Sequence, residues 1–216
     1  METIKLDEIK DLEALSTRLA SVLDQGGLVC LPCNGAYRIV ADLGNVDAVM
    51  EVLQSKQRTH KTPALIFVDS EARLESVAVG LHPHAQALAR ALWPQPLTIR
   101  IELRDELPRK VVKLLGGKKA KVGVRVPGNV LVRAVTEKLG RPLFVSSANR
   151  QKKAGESSPA QVRKTFAARV DVFIDAGDMQ KTPSTVVDIV DGELSVERLG
   201  VISKEVLEGV LEGLSE

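Results

Sequence analysis

Residues 184–199 read STVVDIVDGELSVERL, two runs rich in β-branched and apolar residues on either side of Asp191-Gly192. An Asp-Gly pair between such runs signals a tight hairpin, because the two-residue turn needs positive φ that these residues tolerate. Two antiparallel strands near the C-terminus argue for a mixed sheet and against a purely parallel one.

Toward the N-terminus, strand-like VDVFID, PLFVS, KVGVRV and LTIRIEL alternate with helical patterns at Pro159 to Ala167, Val130 to Leu139, Pro108 to Leu115 and Ala85 to Leu92. Further back, ALIFV reads as a short buried strand, and Asn45 is placed to cap a helix through Met50 and Leu53. AYRIVADLG and LVCLP read as two more strands. Ile9, Leu12, Leu15, Leu19, Val22 and Leu23 recur at helical spacing until Gly26-Gly27 stops them. A last helix is expected over Lys204 to Leu214. The alternation predicts an α/β fold, a twisted open mixed parallel/antiparallel sheet flanked by helices. With no internal repeat and no linker composition, residues 1–216 are expected to form a single domain.

At 216 residues and 44% hydrophobic content the chain can bury a full core. It has no run of 18 apolar residues to cross a bilayer, and METIKLDEIK is too acidic and polar for a signal peptide. The expectation is a soluble cytoplasmic protein with no membrane partner. Cys30 and Cys33 form a CxxC, but three residues of extended chain separate them by roughly 10 Å and turn them to opposite faces, too far for a disulfide. His60, His82 and His84 are the only further metal-ligand candidates of that kind, with no second CxxC. Cys30 reads as a core residue, Cys33 as a loop residue, and no metal site is expected.

The net charge of +2 hides segregation. Between Leu107 and Gly155 there are 13 Lys or Arg residues and one acid, Glu137; from Asp171 onward there are 11 acids and 3 bases. Such a distribution suits either a solvated basic face or a site for an anionic partner, a nucleotide or RNA.

Three loops carry candidate chemistry. LPCNGAYRI, residues 31–39, ends a buried strand in small polar residues, a place to set a ligand or simply to turn the chain. SKQRTHKTP, residues 55–63, sets Lys56 and Arg58 two apart, so that in extended backbone both reach one polyanion; a solvated pair is the bland alternative. VSSANRQKKAG, residues 145–155, offers Ser146, Ser147 and Asn149 at a strand end, followed by Arg150, Lys152 and Lys153. Neither GxxxxGK[ST] nor GxGxxG occurs, so a nucleotide site must be of another kind.

Lys56-Gln57-Arg58, LWPQPLTI (92–99), VGVRVP (122–127), PLFVSSAN (142–149), STVVD (184–188) and ERLG (197–200) follow one another across most of the chain. In this order they resemble the YrdC-like family, the threonylcarbamoyl-AMP synthases of tRNA modification. The resemblance spans Leu12 to Ile202 and implies a chain without the additional C-terminal domain that some members carry. It implies a nucleotidyltransferase that condenses ATP, bicarbonate and L-threonine, with Mg²⁺ travelling on the phosphates. It carries ATP binding to Lys56, Arg58, Ser147, Asn149 and Arg198, threonine binding to Cys33, Arg125 and Ser184, and catalysis to Lys56, Arg58 and Tyr37. Partners implied are tRNA or double-stranded RNA and tRNA-modification proteins. The opening loop departs from the family's PT[DE]TVYGL: Pro32 and Tyr37 match, while Cys33, Asn34, Gly35 and Arg38 replace Thr, an acid, Thr and Gly. Phe67 stands where some members have a histidine. Two alternatives therefore stay open, a nucleotide- or RNA-binding protein of the same fold without synthase activity, and a carbamate-adenylylating enzyme with another substrate.

Overall fold

The expected C-terminal hairpin is present. β9 (Thr185–Val190) and β10 (Glu193–Arg198) pair antiparallel around Asp191 and Gly192, whose φ values are 53° and 85°. The computed structural model describes residues 1–55, 64–104, 107–115, 121–149 and 158–213.

The other strands are β1 (Glu2–Lys5), β2 (Val29–Cys33), β3 (Ala36–Asp42), β4 (Leu65–Phe67), β5 (Leu97–Glu102), β6 (Lys121–Arg125), β7 (Leu143–Ser147) and β8 (Val172–Asp175). They form one ten-stranded sheet in the order β1-β8-β2-β3-β7-β4-β6-β5-β9-β10. Pairing is parallel at β1/β8, β8/β2, β4/β6 and β5/β9 and antiparallel elsewhere, the mixed sheet that the sequence predicts. β1 has no counterpart among the expected strands: it is a short edge strand in which Ile4 alone is half-buried, so it shows no apolar run.

The helices are α1 (Leu12–Asp24), α2 (Val46–Ser55), α3 (Pro83–Leu92), α4 (Arg109–Leu114), α5 (Val130–Leu139), α6 (Pro159–Phe166) and α7 (Lys204–Glu212). Side-chain caps start several of them. Asp11 accepts from Ala14 N at 2.9 Å, Asn45 from Ala48 N at 3.0 Å and Asn129 from Val132 N at 3.1 Å, each cap being worth about 1 kcal/mol. Gly140 in the left-handed region (φ 68°) ends α5.

The two faces of the sheet are covered unequally. On one, α2, α3, α4, α6 and α7 pack a continuous core that includes Cys30, Tyr37, Ile39, Ile66, Val124 and Phe144. On the other, α1 and α5 bury Leu31, Cys33, Val40, Phe67 and Val145 with Leu19, Leu23, Val132 and Val135. Each such side chain contributes about 1.5–3 kcal/mol on leaving water. Cys30 and Cys33 thus belong to opposite faces and are unpaired thiols, as the spacing requires. Cys33 is a buried strand residue, however, where a loop position was expected, because the turn begins one residue later. The same face continues over β4, β6, β5 and β9, and there it is open.

The strand at the edge of that opening is tied down by Thr185. Its buried hydroxyl donates to Ile202 O at 2.7 Å and accepts from Gly200 N at 2.9 Å and Ile202 N at 3.2 Å. Gly200 lies so close that a Cβ would meet Pro183 O at 2.4 Å and Thr185 N at 2.5 Å. Gly200→Ala should therefore cost about 2–3 kcal/mol by overpacking against backbone. Gly209→Ala, in α7 with nothing within 4 Å of the new methyl, should gain about 0.5–1 kcal/mol of helix propensity. Urea unfolding of the pair reads both signs.

Candidate active site

The β2–β3 turn is made by Asn34 and Gly35, with φ of 53° and 65°. This is the tight hairpin geometry that Asn-Gly favours, so LPCNGAYRI turns the chain. The turn also seats a neighbour. A Cβ on Gly35 would lie 1.6 Å from Gln180 O, and Asn34 O accepts from Thr182 N at 3.2 Å. Segment 176–184 therefore lies across the hairpin tip, and the Thr usual at position 35 in the resembled family has no room here.

Tyr37 fixes the start of that segment. Its hydroxyl donates to Gly177 O at 2.8 Å and accepts from Ala176 N at 2.9 Å, and its ring meets Phe173 edge-on at 5.0 Å. The side chain is fully buried on the helix-covered face and does not share the cleft described below. Of the residues expected to be catalytic, Tyr37 thus holds the loop and lies outside the cleft lining.

Two contiguous cavities of about 340 and 280 Å³ occupy the open part of the other face. They have Arg38, Arg125, Ser147, Ser184 and Arg198 in common and so form one cleft. Ser147 and Asn149 come from the end of β7, where the Ser147 hydroxyl donates to Asn149 Oδ1. Arg125, 2% exposed, ends β6. Its Nη2 donates to Cys33 Sγ at 3.1 Å, its guanidinium carbon lies 5.0 Å from the centre of the Phe67 ring, and its Nε has no hydrogen-bond partner among the described residues. An uncompensated buried N–H is costly, and the residue that carries it lines the cleft.

Arg198 lies at a bulge. The register slips between Val196 and Arg198, so Glu197 and Arg198, although consecutive, both line the cleft. Arg198 is held by Ser184, donating to its carbonyl through Nε (3.1 Å) and Nη2 (2.9 Å) and to its hydroxyl at 2.8 Å. Glu197 pairs with Arg100 at 3.0 Å, while Lys121 pairs with Asp188 at 2.7 Å nearby. Gly123 gives the floor its depth, since a Cβ there would meet the Thr98 methyl at 2.7 Å.

Of the residues expected at a site, Ser147, Asn149, Arg125, Ser184 and Arg198 line this cleft, and Cys33 backs it through Arg125. Lys56, Arg58, His60, Arg150, Lys152 and Lys153 lie outside the described residues. Arg38, whose direction the sequence leaves undecided, faces the cleft. Thr98, Arg100, Lys181 and Thr182 were not anticipated; Thr98 could have been found as the last residue of WPQPLT. Among the described residues of the basic run from Leu107, Arg125 lines the cleft, while Arg109, Lys110 and Lys113 ride on α4 beneath the opposite face.

A family model described as telomere recombination, covering the Sua5, YciO and YrdC proteins, matches residues 21–200. The chain belongs to this family. Within it, the chain is 28% identical to a threonylcarbamoyl-AMP synthase of Pyrococcus abyssi over 97% of its own length and 61% of that protein's. It is 28% identical to the synthase of Thiobacillus denitrificans over 84% of this chain and 95% of that one. Its fold superposes on P. abyssi Sua5 complexed with L-threonine with a TM-score of 0.84 at 26% identity, over 97% of this chain and 60% of that one. Escherichia coli YciO has the same fold, with a TM-score of 0.81 at 23% identity over 95% and 98% of the two chains. The chain thus spans about three fifths of the P. abyssi protein and nearly all of the shorter Sua5/YciO/YrdC proteins. No described helix is long and apolar enough to cross a membrane.

Burial pushes the Tyr37 phenol up to about 12. The unfolded chain ionises this group near 10, so its stabilising contribution is complete below pH 10 and is lost as pH rises through 12. Tyr37 is the only tyrosine, and phenolate absorbance of the native protein should show a midpoint near the higher value. Tyr37→Phe should destabilise by about 1–2 kcal/mol at neutral pH, with the difference from the natural protein narrowing between pH 10 and 12. A native midpoint at the ordinary value contradicts the assignment.

Proposed function

We propose that this chain condenses ATP, bicarbonate and L-threonine to threonylcarbamoyl-AMP and pyrophosphate. The observation that carries the reading is the single cleft. Its Ser147, Asn149 and Arg198 match the family's nucleotide-binding positions, and its Arg125 and Ser184 match positions linked to threonine. Both substrate ends thus have their groups around one space, the condition for a reaction whose main demands are positioning and charge stabilisation.

The threonine amine and bicarbonate give a carbamate and water. A carbamate oxygen then attacks the α-phosphorus, the bond to the β-phosphate oxygen breaks, and pyrophosphate leaves with the electron pair. Arg125, buried against Phe67 and Cys33 and lining the cleft, is suited to the amino-acid carboxylate. Ser184 offers a hydroxyl, and Arg198 fixes it while presenting charge to the phosphates. Lys56 and Arg58 complete the phosphate site in this proposal. Mg²⁺ would arrive on the triphosphate, consistent with a lining in which the one carboxylate among the described residues, Glu197, is already paired with Arg100.

The product suits transfer of the threonylcarbamoyl group to a tRNA adenosine. The tRNA and the proteins that perform the transfer are the proposed partners, in the cytoplasm, with residues 1–216 acting as one unit. Pyrophosphate release from ATP should require threonine and bicarbonate together; release independent of either would refute the reaction. Arg58→Ala should weaken ATP binding by about tenfold or more, as loss of a charge-assisted phosphate contact does. Lys110→Ala, exposed on α4, should change it less than twofold. Calorimetric titration compares them, and equal affinities would remove Arg58 from the phosphate site.

A further inference from the structure

We propose that Arg38 is the specificity residue for the carbamate, the cation that holds the new N-carboxylate between the two ends of the cleft. The inference rests on the synthase reading and adds a group that the resembled family does not supply, since glycine is usual at this position.

Position is the first argument. Arg38 lies on β3 directly opposite Ser147 on β7, and it lines both halves of the cleft. In the reaction one oxygen of the carbamate must reach the α-phosphorus while the amino-acid carboxylate remains at Arg125. The carbamate group therefore lies between the Arg125 and Ser184 end and the Ser147 and Asn149 end, and Arg38 borders that junction.

Charge is the second. The smaller half of the cleft is lined by Arg38, Arg125, Lys181 and Arg198 and by no carboxylate among the described residues. Asn34 lines it where the family has an acid. Threonine enters as a zwitterion whose ammonium such a lining repels. Its carbamate is a dianion with two carboxylates, and it matches a site that pairs a cation with each. Arg125 is suited to the first, being 2% exposed with an Nε that has no partner among the described residues. Arg38 is suited to the second, because a guanidinium fork matches a carboxylate in both shape and charge. The consequence is selection of the carboxylated amine over the free amino acid, with bicarbonate affinity the quantity that Arg38 governs.

Two measurements test this on the full chain. In steady-state pyrophosphate release, Arg38→Gln and Arg38→Gly should raise the KM for bicarbonate about tenfold or more, with the KM for ATP and threonine changed less than about threefold, and Arg38→Lys should recover most of the loss. An unchanged bicarbonate KM, or an equal loss for all three substrates, would overturn the proposal. In calorimetric titration, N-oxalyl-threonine carries a second carboxylate on the nitrogen side that N-acetyl-threonine lacks. The natural protein should prefer the former about tenfold or more, and Arg38→Gln should abolish the preference. If the natural protein shows no preference, the Arg38 assignment is wrong even where turnover is normal. If the preference is present and Arg38-dependent but no pyrophosphate is released, the anion site stands and the synthase reading fails. Thermal unfolding of each variant establishes that a loss is local.

Discussion

The cleft depends on how closely segment 176–184 rests on the tip of the β2–β3 hairpin. A side chain at position 35 would occupy the space of the Gln180 carbonyl, so the contact requires both a glycine and a left-handed backbone. From that contact the segment runs past Lys181 and Thr182 to Ser184, which anchors Arg198. At one end Tyr37 grips Ala176 and Gly177; at the other Thr185 draws in the 200–202 turn. The wall of the site is held by tertiary hydrogen bonds from β3, the β2–β3 turn and β9.

Much of the fold was legible because helices and strands here follow simple periodicities and carry ordinary caps. Asn45 and the Asp191-Gly192 turn behave as their chemistry dictates. β1 escaped because an edge strand with a single half-buried residue leaves no pattern to read. The site was legible as residue types, less so as directions. Tyr37 and Arg38 are neighbours on one strand, so alternation allows only one of them into the cleft, and sequence fixes which only if the face is known. The bulge that turns both Glu197 and Arg198 inward has no signature in ERLG. Asn34-Gly35 invited a ligand-binding reading; its turn chemistry accounts for the backbone at both residues, and Asn34 lines the cleft as well.

Charge segregation along the chain was a poor guide to charge in space. Among the described residues the long basic run contributes one arginine to the cleft lining, and the other described cations arrive singly from β3, β5, segment 176–184 and β10. Strand order explains this: β3, β7, β4, β6, β5 and β9 bring residues far apart in sequence onto one surface. Neutral partners on the same surface, Ser147, Asn149, Thr98 and Ser184, supply hydrogen bonds without cancelling the field.

The bulge in β10 also bears on how molecules of this protein meet one another. β10 is an outer strand of a ten-stranded sheet, and an uninterrupted outer strand is a template on which another chain can extend the ladder. Here the ladder is broken at Glu197, and Glu193, Glu197 and Arg198 set charge along the rim. The irregularity that aims an arginine into the cleft thereby also discourages polymerisation through the exposed edge, so solubility and ligand recognition constrain the same few residues.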